Sequence, residues 1–169
     1  MIGTICPVVS AMRPTKNIFM CLVLAGSVAV NASPVIVADG NASTTVTDQG
    51  GGLLRQVATG LGWAQSDNGS DIDWTAAGRF CASKGAGWRL PSIAELQSIY
   101  DKSSRIDINC GPGFTCKVSP LFRLTGPWAW SNEASNSMST WIVILTKGTT
   151  TTYVASDASK KRALCVLSS

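Results

Sequence analysis

Cys81, Cys110, Cys116 and Cys165 narrow the folds open to this chain more than any other feature. They are the cysteines that remain once an apolar leader is set aside. An even number of cysteines in an exported chain reads as two disulfides, with three possible connectivities. The favoured pairing joins Cys81 to Cys165 and Cys110 to Cys116. The second pair closes a Gly-Pro-Gly-Phe-Thr loop, whose glycines and proline suit a tight turn. The first ties an early helix to the last strand, and in the chain-entropy model closing so long a loop contributes about 4–5 kcal/mol.

The leader itself is readable. Arg13 and Lys16 precede an apolar run from Ile18 to Val30, and Val30-Asn31-Ala32 provides small residues for cleavage. A charged region, an apolar region and a cleavage site predict a signal peptide over residues 1–32, removed after Ala32. The apolar run is short for a membrane anchor, and the residues before Cys21 do not suit a lipoprotein signal. Met12 is an alternative start to Met1. Residues 33–44 are expected to be a flexible leader to a domain over residues 45–169.

Cleavage would remove 2 of the 14 basic residues and none of the 10 acidic ones, leaving 12 against 10, a net charge of +2. That is too near neutral to predict nucleic acid as a partner. Lys160-Lys161-Arg162 reads as a solvated turn rather than a phosphate site.

One stretch organises the domain, Gly87-Trp88-Arg89-Leu90-Pro91-Ser92-Ile93-Ala94-Glu95-Leu96 and on to Asp101. Pro91 disfavours helix at Leu90. Ser92 and Glu95 then have the spacing of a capping box, with Leu90 and Leu96 placed as a hydrophobic staple. Ile93, Leu96, Ile99 and Tyr100 form an apolar stripe, which predicts a helix over about 93–101. Arg89 and Glu95 are placed for an ion pair. An earlier helix is expected over about 74–84, with Asp73 as N-cap, Trp74, Ala77 and Cys81 on one face, and Gly85 at its end.

Residues 45–48 read as a first short strand, broken by Gln49-Gly50-Gly51-Gly52. Extended segments are expected over 53–57 and 60–64. Residues 103–125 look loop-rich. The alternating Trp128-Ala129-Trp130-Ser131 precedes a polar stretch over 132–139. Strands are then expected over 140–146, 149–156 and 162–167. Two helices early and a meander of strands late predict an α+β domain.

Several chemistries lack their tools. The chain contains no histidine, which removes Ser-His-Asp triads and histidine-based metal sites. Paired cysteines would leave no thiol, and no glycine-rich phosphate loop follows a strand. No catalytic residue, metal or cofactor is assigned, and the chain is not expected to be an enzyme. The acidic turn from Asp67 to Asp73 lacks the glycine position and terminal glutamate of an EF-hand loop, so it reads as a turn plus helix N-cap rather than a calcium site. Trp63, Trp74, Trp88 and Trp141 read as core. Trp128 and Trp130 flank a polar loop where rings and amides could meet a sugar or a protein.

Thr45-Val46-Thr47-Asp48, Thr59-Gly60-Leu61-Gly62-Trp63, Asp73-Trp74-Thr75-Ala76-Ala77, Trp88-Arg89-Leu90-Pro91-Ser92 with Glu95-Leu96, Trp130-Ser131 and Leu164-Cys165-Val166 fall in a telling order. Over about residues 45–167 the chain resembles the bacterial exported domain family named for the C-terminal domain of a collagen-like adhesin, the Lcl C-terminal domain. The resemblance implies a C-type-lectin-like fold, related to formylglycine-generating sulfatase-modifying domains. That is, two helices packed on a twisted antiparallel sheet with long loops and two disulfides. It also supports the Cys81–Cys165 pairing, since such folds commonly staple the first helix to the last strand. The chain departs from the pattern in having no collagen-like repeat and neither sugar-binding triplet of the animal lectins, and Gln49 to Ala58 looks like an insertion.

The resulting expectation is a secreted, periplasmic or cell-surface module, without a stable membrane anchor, that binds a surface glycan or protein. Its binding face is placed on the loops from Ser103 to Ser139, with Trp128, Trp130, Asn132, Glu133 and Asn136 as contacts. The rivals are a structural subunit of a pilus or fibre and a formylglycine-generating type of enzyme.

Overall fold

In chain order the computed structural model reads β1 (Val46–Asp48), β2 (Leu53–Gln56), β3 (Gly62–Ala64), α1 (Trp74–Ala82), β4 (Trp88–Arg89), α2 (Ile93–Ser98), β5 (Ile108–Asn109), β6 (Thr115–Cys116), β7 (Trp128–Ala134), β8 (Ser139–Ile144), β9 (Thr149–Val154), β10 (Lys161–Arg162) and β11 (Val166–Leu167). It describes residues 44–103 and 107–168. The predicted signal peptide and all of the expected leader except Thr44 lie outside the described residues.

The strands form three sheets. A five-stranded antiparallel sheet has the order β1-β2-β3-β11-β4, so the final strand lies between two early ones. A four-stranded sheet has the order β10-β7-β8-β9, antiparallel except for the parallel β10–β7 pair. β5 and β6 make a two-stranded ribbon. The α+β class therefore holds, but the expected lone antiparallel sheet is instead several sheets with one parallel junction. The cause lies in the last segment, where residues 162–167 are expected as one strand. Lys161–Arg162 pairs with β7, and after Ala163–Cys165 the chain enters the other sheet as β11.

Local chemistry accounts for the element ends. The Asp73 carboxylate accepts from the Ala76 amide and starts α1. Ser92 and Glu95 form both halves of the capping box that starts α2. Both helices end earlier than their apolar patterns suggest, at Ala82 and Ser98. The staple is not the contact that places Leu90. Leu90 belongs to one apolar cluster with Ala77, Cys81 and Trp130, while Leu96 belongs to another with Val46, Trp63, Ile99 and Val143. These are the two apolar clusters of the core among the described residues.

Both disulfides form as the favoured pairing has them. Cys81–Cys165 links α1 to the segment before β11 and lies in the second cluster. Cys110–Cys116 closes the β5–β6 ribbon and lies in the first.

The basic run is the largest departure. Lys161 has no solvent exposure, and only Lys160 of the three is exposed. The Lys161 ammonium sits 3.9 Å from the Tyr153 ring centroid, and 5.7 Å from those of Trp128 and Trp130. It donates to Asp157 Oδ2 at 2.8 Å and to the Ser159 carbonyl at 3.0 Å. Ring faces and two oxygens replace the water that a lysine loses on burial. Arg162 is engaged as well, donating to Asp71, to the Thr125 hydroxyl and to the Thr125 carbonyl. The run is a structural clamp, not a solvated turn.

Candidate functional site

A bulge in β7 helps to set up a concave surface. Trp130 pairs with Ile142, but the next pair is Ala134 with Thr140, so the Ser131–Glu133 segment holds extra residues. Bulges re-aim side chains. Here the distortion is held from several sides. The Ser131 hydroxyl donates to the Trp141 carbonyl, and the Ser131 carbonyl accepts from Trp74 Nε1 at 2.8 Å. The Asn132 amide donates to the Pro91 carbonyl at 2.8 Å. The Glu133 carboxylate accepts from the Ile93 amide at 2.8 Å, at the first turn of α2.

Bulge, α1 and β4 together frame an open groove of about 350 Å3. Trp74, Gly78, Arg79, Trp88, Arg89 and Asn132 are among its lining residues. Trp74 and Trp88 are half-buried, while Arg79 and Asn132 are exposed. Gly78 is the unusual member. It lies inside α1, where glycine costs about 1 kcal/mol relative to alanine. A Cβ there would meet nothing within 4 Å. Close packing therefore does not demand the glycine, and its bare backbone leaves the groove floor open.

The rim is cationic. Arg89 is held by a two-pronged pair with Glu95, at 2.8 and 2.7 Å. The hydrogen bonds from Arg89 hold the Glu95 carboxyl below the usual carboxylate range, against partial desolvation. Lys84 lies 4.8 Å from the Phe80 ring centroid and 6.0 Å from that of Trp88.

The five sequence-predicted contacts do not share one surface. Asn132 lines the groove. Trp130 has no exposure, and its Nε1 donates to the Ile72 carbonyl at 2.8 Å, so it is a core residue and not a contact. Trp128 stacks on Tyr153 at 5.6 Å, with both lysine ammoniums within 6 Å. Glu133 is tied to α2, as above. The Asn136 side chain accepts from the amides of Met138 and Ser139 and shapes the β7–β8 turn. The expected continuous face over 103–139 is likewise split among the disulfide ribbon, a non-regular segment, β7 and that turn.

Trp74 and Trp88, which the residue pattern places in the core, are only half-buried and line the groove. The detectable signal was Gly78, a helix-interior glycine one turn from Trp74. The acidic turn is committed to the protein itself. Asp67 accepts from Gly69 and twice from Thr125, Asp71 pairs with Arg162, and Asp73 caps α1. Among the described residues no group of three or more Cys, Asp or Glu side chains is placed to hold a metal ion.

A model of the Lcl C-terminal domain matches residues 52–167, well over half of the chain. The chain belongs to the Lcl C-terminal domain family. A search of curated proteins gives no match. The matched span of this Lcl C-terminal domain includes α1, β4, the β7 bulge and both disulfides, and thus every element that frames the groove.

Proposed function

We propose that this Lcl C-terminal domain is an exported, non-enzymatic binding module of C-type-lectin-like architecture that holds a surface glycan in the groove between α1, β4 and the β7 bulge. The observation that carries the reading is the half-exposed Trp88 ring beside Asn132 and Arg79, over the bare backbone of Gly78. A sugar presents one apolar face and a rim of hydroxyls. An aromatic ring packs against the former, and amide and guanidinium groups hydrogen bond the latter. Two disulfides fit an oxidising compartment. They also engage all four described cysteines, which speaks against a thiol-dependent enzyme. Among the described residues no helix is long and apolar enough to cross a membrane. The link from α1 to the chain before β11 supports the lectin-like architecture.

The test is tryptophan fluorescence titration and glycan-array binding of the purified protein. Wild type is expected to bind a defined set of glycans. Trp88→Ala and Gly78→Leu, which respectively remove the ring and fill the floor, are expected to lose them while keeping the unfolding midpoint within a few degrees. Retained binding in both variants would place the ligand elsewhere.

A further inference from the structure

Strand β9 borders the four-stranded sheet, with β8 as its only neighbour in that sheet. It pairs with β8 over all six of its residues, in unbroken register from Thr149 to Val154. The other outer strands of the two larger sheets are shorter. β1 has 3 residues, and β4 and β10 have 2 each. Part of β10 is covered as well, since the Lys161 carbonyl accepts from the Ile72 amide and from Arg162. Folded proteins usually blunt a long edge with lysine, proline, a bulge or a covering element. The sequence Thr-Thr-Thr-Thr-Tyr-Val has no lysine or proline, and its ladder has no bulge.

The ladder alternation identifies the free backbone groups. The Ala155 amide donates to the Met138 carbonyl at 2.8 Å, and the Leu145 amide to the Pro127 carbonyl at 2.8 Å. Even-numbered residues of β8 therefore bond β9, and odd-numbered ones bond β7. Thr151 and Tyr153 bond inward, while Thr150 and Thr152 point both N–H and C=O away from β8. Among the described residues, none outside β8 hydrogen bonds to those two threonines.

We propose that β9 is a self-association edge, at which a second copy of this chain pairs its own β9 antiparallel about a two-fold axis through Thr151. Thr150 of each copy then opposes Thr152 of the other, and the two pairs exchange four backbone hydrogen bonds. The joined sheets run continuously from one β10 to the other.

Three observations select a second copy over a foreign strand. The strand carries no charge, so identical strands meet without repulsion, and the threonines make symmetric cross-strand pairs. The strand carries an exposed apolar side chain of its own, since Val154 is 54% exposed. The register also gives Val154 a seat, because it opposes Gly148 of the other copy. Gly148 has φ +69°, and a Cβ there would lie 2.4 Å from the Tyr100 ring, so that ring covers the glycine and offers an apolar surface.

The proposal does not depend on the glycan reading, since Trp88 and Gly78 lie on other elements. Sedimentation velocity of the purified full-length chain over a concentration series tests it. Wild type is expected to shift from monomer to dimer. Thr152→Pro deletes one outward donor and no internal hydrogen bond, and Thr152→Lys adds an edge charge. Both are expected to weaken self-association at least tenfold with the unfolding midpoint unchanged. Under mild oxidation Thr151→Cys is expected to give a disulfide-linked dimer, because facing residues at the axis fall within disulfide reach. A wild type that stays monomeric throughout overturns the proposal, as does a dimer that persists in both Thr152 variants. Linkage through Thr152→Cys in place of Thr151→Cys overturns the register.

Discussion

Around Trp128, Trp130 and Tyr153 the aromatic faces surround the chain's own buried Lys161, whereas Trp74 and Trp88 line an open groove and the cation nearest the Trp88 ring, Lys84 at 6.0 Å, stays exposed. Both clusters combine indole rings with nearby cations. In the first, the cation is inside and satisfied by Asp157 and Ser159. In the second, Arg79 and Asn132 stay at the rim in water. The contrast teaches that a concentration of tryptophans marks a binding surface only where the fold withholds its own side chains from the rings. Gly78 is the clearest instance of such withholding.

The contrast can be broken most severely at Lys161. Lys161→Ala is expected to cost about 2–4 kcal/mol by urea denaturation, since it removes a desolvated cation–π contact and leaves a cavity. Lys161→Met keeps much of the volume and is expected to cost less. Equal losses would mean that packing, and not the cation, holds the cluster.

At the open cluster the expected loss is in affinity. Trp88→Ala should weaken glycan binding by about 2 kcal/mol, roughly thirtyfold, as for a hot-spot aromatic. The same substitution in place of Trp130 should unfold the protein before binding can be measured, which circular dichroism would show.

Acid weakens the anchors of both clusters. Hydrogen bonds from Lys161 first, then Ser159, hold the Asp157 carboxyl at about 2, and Arg89 first, then Ser92, lower that of Glu95. A carboxyl lowered by folding contributes stability that is present above its unfolded pKa, about 4, and lost as pH falls through its folded value. The unfolding midpoint is therefore expected to hold down to about pH 5 and to fall below about pH 4. Glu95→Gln should cost about 1–2 kcal/mol at pH 7, an amount reduced by the partial exposure of Arg89, and should flatten the acid limb.

The smallest effect has the opposite sign. Gly78→Ala is expected to stabilise the domain by about 0.5–1 kcal/mol, because helix propensity improves and nothing is crowded. A destabilised Gly78→Ala would mean that the groove floor is packed after all.

Local chemistry was the legible part of this chain. Asp73, Ser92 and Glu95 specify helix starts through hydrogen bonds to neighbours in sequence, and all three act as the residue pattern requires. The arrangement of sheets was not legible, because the switch of residues 161–167 from one sheet to another depends on partners nearly a hundred positions away, such as Asn68 for Ala163. The site was half legible. Asn132 could be picked out as a polar residue after paired tryptophans, but the bulge that aims it depends on Trp74, Pro91 and Trp141. Burial of Lys161 went against the ordinary reading of a basic run, since neither its rings nor its acceptors lie in one sequence window.

The place of β11 has a consequence for the order of assembly. Val166 and Leu167 form the fourth strand of a five-stranded sheet, paired to β3 on one side and β4 on the other, and Cys165 beside them closes a link of 84 residues. β4 therefore has no strand partner, and Cys81 no disulfide, until the chain through Val166 is available. The five-stranded sheet of a nascent domain cannot complete itself section by section as it is made. It stays open until β11 has emerged and then closes in a late step through long-range contacts, the kind that slow folding. A chain threaded through a narrow channel before folding would profit from that delay.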